Sequence, residues 1–228
     1  MISARFTERF GIKHPIVCAP MAFVTGGALA AAVCRAGGLG IVGGGYAGTL
    51  GWDLDLETEL SRAKSGKFGV GFISWALARA PTMLTKALQH SPSCVFLSFG
   101  DPRPFAAEIR DAGAALICQV QFLSQIDVAL EAGAAAIVVQ GTEAGGHGGN
   151  RSTFPFVPEA ADYLKQRSPE TLLVAAGGIA DGRGLAAALM LGADAVVVEE
   201  QQHQRSIAAL KRRAAKRGFR LESVQVTT

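Results

Sequence analysis

His147 is the residue most able to do chemistry in this chain. It stands in Gln140-Gly141-Thr142-Glu143-Ala144-Gly145-Gly146-His147-Gly148-Gly149, directly after the apolar run Ala134-Ala135-Ala136-Ile137-Val138-Val139. Glycines let the backbone reach positive φ and approach a ligand closely, and imidazole is the side chain that exchanges a proton near neutral pH. An imidazole held over an apolar barrel mouth suits a general base. His14, His90 and His203 lack such surroundings and read as surface or structural residues, and Glu143 reads as structural sooner than chemical. A second glycine turn occurs in Val174-Ala175-Ala176-Gly177-Gly178-Ile179-Ala180-Asp181-Gly182, between a strand and a helix expected to start near Gly184. Free N–H groups at such a turn, beside a helix N-terminus, attract phosphate. No His, Asp, Glu or Cys residues fall at metal-ligand spacing, and neither G-x-S-x-G nor a well-placed G-x-G-x-x-G is present. A proton-moving histidine beside a phosphate-binding turn, without metal or nucleophile, implies a bound phosphorylated cofactor that carries the electrons.

These residues need elements to position them. Apolar runs recur at Pro15–Ala22, Leu39–Gly43, Phe68–Ile73, Cys94–Phe99, Ala115–Phe122, Ala136–Gln140, Leu172–Ala176 and Ala195–Val198. Several follow one signature, seen in Arg35-Ala36-Gly37-Gly38, Asp111-Ala112-Gly113-Ala114, Glu131-Ala132-Gly133-Ala134 and Leu191-Gly192-Ala193-Asp194, that reads as a helix ending on glycine. Eight strands alternating with helices, none with a polar face, predict a parallel sheet closed into a (β/α)₈ TIM barrel, with any gap in its closure expected at the C-terminal end. Active sites of such barrels lie where strands end and loops begin. Here those positions hold Ala19-Pro20-Met21, Gly43-Gly44-Gly45, Gln119 and Gln121, the His147 segment, and Gly177-Gly178.

Composition sets bounds. A chain of 228 residues, 49% hydrophobic and 18% charged with 28 glycines, suits one large α/β core over residues 1–198 and excludes a disordered chain. No apolar stretch reaches transmembrane length, and the opening residues lack the apolar core of a secretory signal, so a soluble cytoplasmic protein without a membrane partner is expected. Cys18, Cys34, Cys94 and Cys118 show no C-x-x-C spacing and read as reduced thiols. From Glu199 onward seven Lys or Arg face three Glu, a local +4, whereas the preceding residues carry 15 against 16. Residues 199–228 thus form a basic tail, with a solvated helix expected over Arg205–Arg220; it shows no aromatic or base-reading pattern for nucleic acid.

The chain resembles the nitronate monooxygenase family, also known as 2-nitropropane dioxygenases, which are FMN-dependent (β/α)₈ barrels. The resemblance is carried by Pro15-Ile16-Val17-Cys18-Ala19-Pro20-Met21-Ala22, Ala36-Gly37-Gly38-Leu39-Gly40, Phe68-Gly69-Val70-Gly71-Phe72, Gln140 to His147, and Ala175-Ala176-Gly177-Gly178-Ile179. It implies His147 as catalytic base. It places Ala19, Pro20 and Met21 against the flavin ring, Gln119 and Gln140 on flavin or ribityl oxygens, and Gly145, Gly177 and Gly178 on the phosphate side. Gly71 stands where many members carry Asn. After Val198 the family continues with a Gly-Thr-Arg-Phe-like turn that completes the phosphate cradle; here Glu199-Glu200-Gln201-Gln202 follows, and carboxylates repel phosphate. The activity implied is oxidation of alkyl nitronates, and of neutral nitroalkanes, by O₂ to a carbonyl compound and nitrite. An FMN-dependent enoyl-ACP reductase and a truncated, non-catalytic barrel are the alternatives. An oligomer of identical chains is compatible with each.

Overall fold

A computed structural model describes residues 4–48, 55–64 and 66–199. Glu200, His203 and the helix expected over Arg205–Arg220 lie outside the described residues. Each apolar run contributes one parallel strand: β1 (Ile16–Cys18), β2 (Gly40–Gly45), β3 (Phe68–Ile73), β4 (Cys94–Ser98), β5 (Ala115–Val120), β6 (Ala136–Gln140), β7 (Leu172–Ala176) and β8 (Ala195–Val198). The helices are α1 (Arg5–Phe10), α2 (Gly27–Ala36), α3 (Leu56–Ala63), α4 (Ser74–Leu77), α5 (Thr82–Leu88), α6 (Arg103–Asp111), α7 (Ser124–Glu131), α8 (Thr153–Arg167) and α9 (Gly182–Met190). The strands pair in the order β1-β8-β7-β6-β5-β4-β3-β2. A parallel bridge between Val17 and Leu39 joins the two ends, with the Cys18 N–H donating to the Leu39 carbonyl and the Leu39 N–H to the Ile16 carbonyl, both at 2.9 Å. The result is a (β/α)₈ barrel whose closure is thinnest between β1 and β2.

The period of two along each strand divides the apolar residues between two cores. Inward positions such as Val17, Ile41, Phe96, Ile117, Val138 and Val174 fill the barrel. Their outward neighbours, among them Val42, Leu97, Ile137 and Leu173, pack against helical Leu60, Leu84, Ile109 and Phe156. Strands buried on both sides have no polar face to show, which is why they read as continuous apolar runs. At the amino end of the barrel α1 serves as a plug. Phe6 and Phe10 join the inner core with ring centroids 4.5 Å apart. Arg5 fastens this helix, donating to both carboxylate oxygens of Asp194 at 2.9 and 2.8 Å and to the Pro169 carbonyl at 2.6 Å.

The glycine signature has a common geometry. Past the end of α6, Gly113 takes φ 77°, its N–H donates to Arg110 O at 2.9 Å, and the Ala114 N–H donates to Ile109 O at 3.1 Å. Gly133 and Gly192 repeat this turn after α7 and α9, so each helix is stopped and the next strand begins two or three residues past the glycine.

Four strands and one helix depart from the expected bounds. β4 and β5 stop at Ser98 and Val120, one and two residues short of their runs. β1 is shorter than its apolar run because the Met21 N–H donates to Ala19 O at 2.8 Å, folding a tight turn about Pro20, which has no N–H to give a ladder. β2 is longer, since Gly43 to Gly45 lie within the strand around a register shift and do not follow it. Helix α9 begins at Gly182, two residues before Gly184, because the Asp181 carboxylate caps it by accepting from the Arg183 and Gly184 N–H groups at 2.9 and 3.3 Å.

Candidate active site

His147 lies on the loop from β6 to α8, at the carboxyl end of the barrel, and is exposed. Three tethers hold its loop. Gln121 at the end of β5 donates from Nε2 to the His147 carbonyl at 2.5 Å. Gln140, the last residue of β6 and only 3% exposed, donates from Nε2 to Gly145 O at 3.0 Å. Glu143 caps α8, accepting from Ser152 Oγ and, at 2.9 and 2.8 Å, from Thr153 N and Oγ1. Burial disfavours the ionised Glu143, but the hydrogen bonds from Ser152 and Thr153 outweigh it and bring the pKa down to about 2. Glu143 is therefore a fixed anion that orders the loop, as its structural reading from sequence anticipates.

The His147 imidazole meets the Phe99 ring with centroids 4.8 Å apart and planes inclined at 49°. Phe99 follows β4 with φ 57°, a left-handed backbone that costs a non-glycine residue about 1 kcal/mol. Phe99 and Gln121 also border a cavity of about 270 Å³, but its lining includes Leu97, Cys118 and Ala129 of the outer core and not His147, so it opens between β4–β5 and helices α6 and α7 and not within the barrel mouth.

The remaining residues fall into two sectors of the mouth. On the β1–β3 side, Ala19-Pro20-Met21 lies against bare backbone. A Cβ at Gly43 would sit 2.5 Å from Met21 O, and one at Gly71 would strike the Pro20 ring, its Cγ at 2.8 Å and its Cβ closer still. Pro20 thus fills the space that a side chain at position 71 would take. On the β5–β8 side, Gln119 donates from Nε2 to Gln140 Oε1 at 2.8 Å, an oxygen that also accepts from Gln121 Nε2 at 2.9 Å. The amide of Gln140 is thus committed to protein partners, and its position is that of a loop anchor. Gly177 and Gly178 take φ 115° and 69°. A Cβ on Gly177 would lie 2.6 Å from Thr153 Oγ1 and 3.0 Å from Ala144 N, so this turn can nest against the start of α8 only as glycine.

These groups test the site against a flavin phosphate. The N–H groups of Gly177, Gly178 and Ile179 have no protein acceptor among the described residues, which suits an anion at that turn. The Arg183 and Gly184 N–H groups of α9 do not serve it, because Asp181 takes them. Gly145 N–H donates at 2.8 Å to Oε2 of Glu199. The Gly177–Ile179 turn thus leaves N–H donors open to an anion, while the Gly145 N–H is occupied from within the chain.

The sequence pattern did not single out Phe99 as the aromatic partner of His147, nor Gln121 as its tether. The sequence does place Gln121 beside Gln119 at the barrel mouth, but local spacing does not say which carbonyl its amide meets. All four cysteines are free, and burial pushes the thiols of Cys94 and Cys118 up to about 12, where they stay protonated. Among the described residues no His, Cys, Asp and Glu cluster could hold a metal, and no helix is long and apolar enough to cross a membrane.

A family model described as nitronate monooxygenase matches residues 3–70 and 73–200. A nitronate monooxygenase of Neurospora crassa is 35% identical over 223 residues, covering 82% of this chain and 59% of its own length. The structure of FabK from Thermotoga maritima superposes with a TM-score of 0.76 at 34% identity, over 91% of this chain and 63% of that one. The nitroalkane oxidase of Streptomyces ansochromogenes gives a TM-score of 0.71 at 28% identity, over 86% and 67%. The chain spans about three fifths of the length of the Neurospora relative. With eight parallel strands, a tethered histidine at the carboxyl rim and a family match running through nearly all described residues, the chain belongs to the nitronate monooxygenase family.

Proposed function

We propose that this chain is an FMN-dependent oxidoreductase that oxidises alkyl nitronates with O₂ to a carbonyl compound and nitrite, and that His147 extends this to neutral nitroalkanes as a base. The observation that carries the reading is an exposed imidazole on a loop fixed by Gln121, Gln140 and Glu143 at the end of β6. When bound, the flavin supplies the electron acceptor that the side chains of the barrel lack. Ala19-Pro20-Met21 offers its ring a close-packed wall, and the Gly177–Ile179 turn offers N–H donors to its tail. Gln119 and Gln140 hold each other at the rim between them.

His147 removes the proton from the carbon bearing the nitro group, and the C–H electron pair moves onto the nitro oxygens to give the nitronate. Phe99 against the imidazole limits its rotation and covers one side from water. Overall, two nitronates and one O₂ yield two carbonyl groups and two nitrite ions, which balances oxygen and charge. A preformed nitronate needs no base. Replacing His147 with Asn is therefore expected to lower turnover of neutral nitroethane by ~10²–10⁴-fold while changing turnover of ethyl nitronate little. Equal losses on both substrates would remove the base assignment.

A second reading is the alternative that the glycine and histidine element of the sequence also allows, an FMN-dependent enoyl-ACP reductase that takes electrons from NADH or NADPH. The contact of Glu199 with Gly145 supports a third, a barrel without catalytic function, which would stay colourless after addition of FMN.

A further inference from the structure

Glu199 immediately follows β8, whose inward residues are Ala195 and Val197. The two-residue period of the strand therefore aims Glu199 into the barrel mouth. There its Oε2 accepts the Gly145 N–H at 2.8 Å, and a Cβ built on Gly145 would lie 2.7 Å from the same oxygen. The other side of this glycine is also fixed, since Gly145 O accepts from Gln140 Nε2 at 3.0 Å. No Lys, Arg or His among the described residues forms an ion pair with Glu199. A carboxylate that accepts a backbone N–H in this way resembles a bound anion that the chain supplies itself.

We infer that Glu199 determines which flavin the barrel accepts: by holding the Gly145 N–H as an internal anion, it opposes a phosphate at that end of the site, so that FMN gains little over riboflavin. The inference rests on the flavin reading above. Riboflavin presents the same ring and ribityl chain without the phosphate, and the two ligands isolate the effect of charge. Phosphate would have to displace the carboxylate from Gly145 or sit within a few ångströms of it, and repulsion between fixed charges at that range is worth at least about tenfold in affinity at an effective dielectric constant of about 20.

The test is titration of FMN and riboflavin, by absorbance and flavin fluorescence, into the unaltered chain, Glu199→Gln and Glu199→Gly, with circular dichroism melts to establish that each is folded. Glu199→Gln keeps an oxygen for the Gly145 N–H and removes only the charge; Glu199→Gly frees the donor. The unaltered chain is expected to bind the two flavins within ~10-fold of each other, and both variants to tighten FMN by at least ~10-fold with riboflavin unchanged within ~2-fold. An FMN-to-riboflavin ratio that is the same in all three chains would overturn the inference and leave the flavin reading intact. Folded chains that bind neither flavin would overturn both.

Discussion

Replacing Gln140 with Met removes the amide that joins the β5 end to the histidine loop, while conserving side-chain length. In the fold, Gln140 Oε1 accepts from Gln119 and Gln121, and its Nε2 donates to Gly145 O. Gln121 keeps its bond to the His147 carbonyl after the change, so it retains one acceptor. Gln119 Nε2 and Gly145 O lose the only protein partner that any contact among the described residues gives them at those atoms. A buried polar group left unpaired costs about 1–3 kcal/mol, and both groups are only partly shielded from water, which puts the sum at about 2–3 kcal/mol. The cost should be local as well as global. Urea unfolding measures the total, and amide hydrogen exchange across residues 141–149 measures how much of it is loop opening. Exchange in this loop should accelerate by ~10-fold or more while amides of β6 itself change only with global stability. A loss below ~0.5 kcal/mol with unaltered loop exchange would show that the amide cluster does not hold His147 in place.

Acid should act through Glu143. Its carboxyl falls from an ordinary 4.5 to about 2 in the fold, so the stability it contributes is complete above pH 4.5 and is lost as pH drops towards 2. Without solvent screening this would amount to about 3 kcal/mol; the side chain is exposed, which reduces it to about 1 kcal/mol. Glu143→Gln should therefore flatten the pH dependence of the urea midpoint on that acid limb, and a limb of unchanged slope would contradict the assignment. Phe6→Ala withdraws the plug at the amino end of the barrel and should cost about 3–5 kcal/mol in urea unfolding, whereas a loss under ~1 kcal/mol would mean that α1 adds little to the inner core.

The interior of the barrel was legible because burial on two sides leaves a strand nothing but apolar residues, and β3, β6, β7 and β8 match their runs in full. The ends of β1 and β2 were less so. Pro20 and the glycines at positions 43–45 are compatible with either strand or turn, and the choice is made by contacts between them: the Ala19–Met21 turn rests on bare backbone at Gly43 and Gly71. Within the site, the place of His147 at the end of β6 was readable from its glycine flanks, whereas Glu199 drew notice only through the family resemblance, at the point where a Gly-Thr-Arg-Phe-like turn usually stands. The pairing of Gln119 with Gln140, the Phe99 contact and the donor that Glu199 takes are all long-range meetings between different strand ends. Local pattern carries no signal for them, because any polar residue at a strand's carboxyl end has several possible partners around the rim.

The reductant that the loaded barrel accepts separates nitronate oxidation from enoyl reduction most directly. The FMN-loaded chain mixed without oxygen with ethyl nitronate, or with NADH or NADPH, should lose its visible flavin absorption with the nitronate and retain it with either nicotinamide. Rapid bleaching by NADH or NADPH, with none by the nitronate, would contradict nitronate oxidation and assign the chain to the reductase chemistry instead.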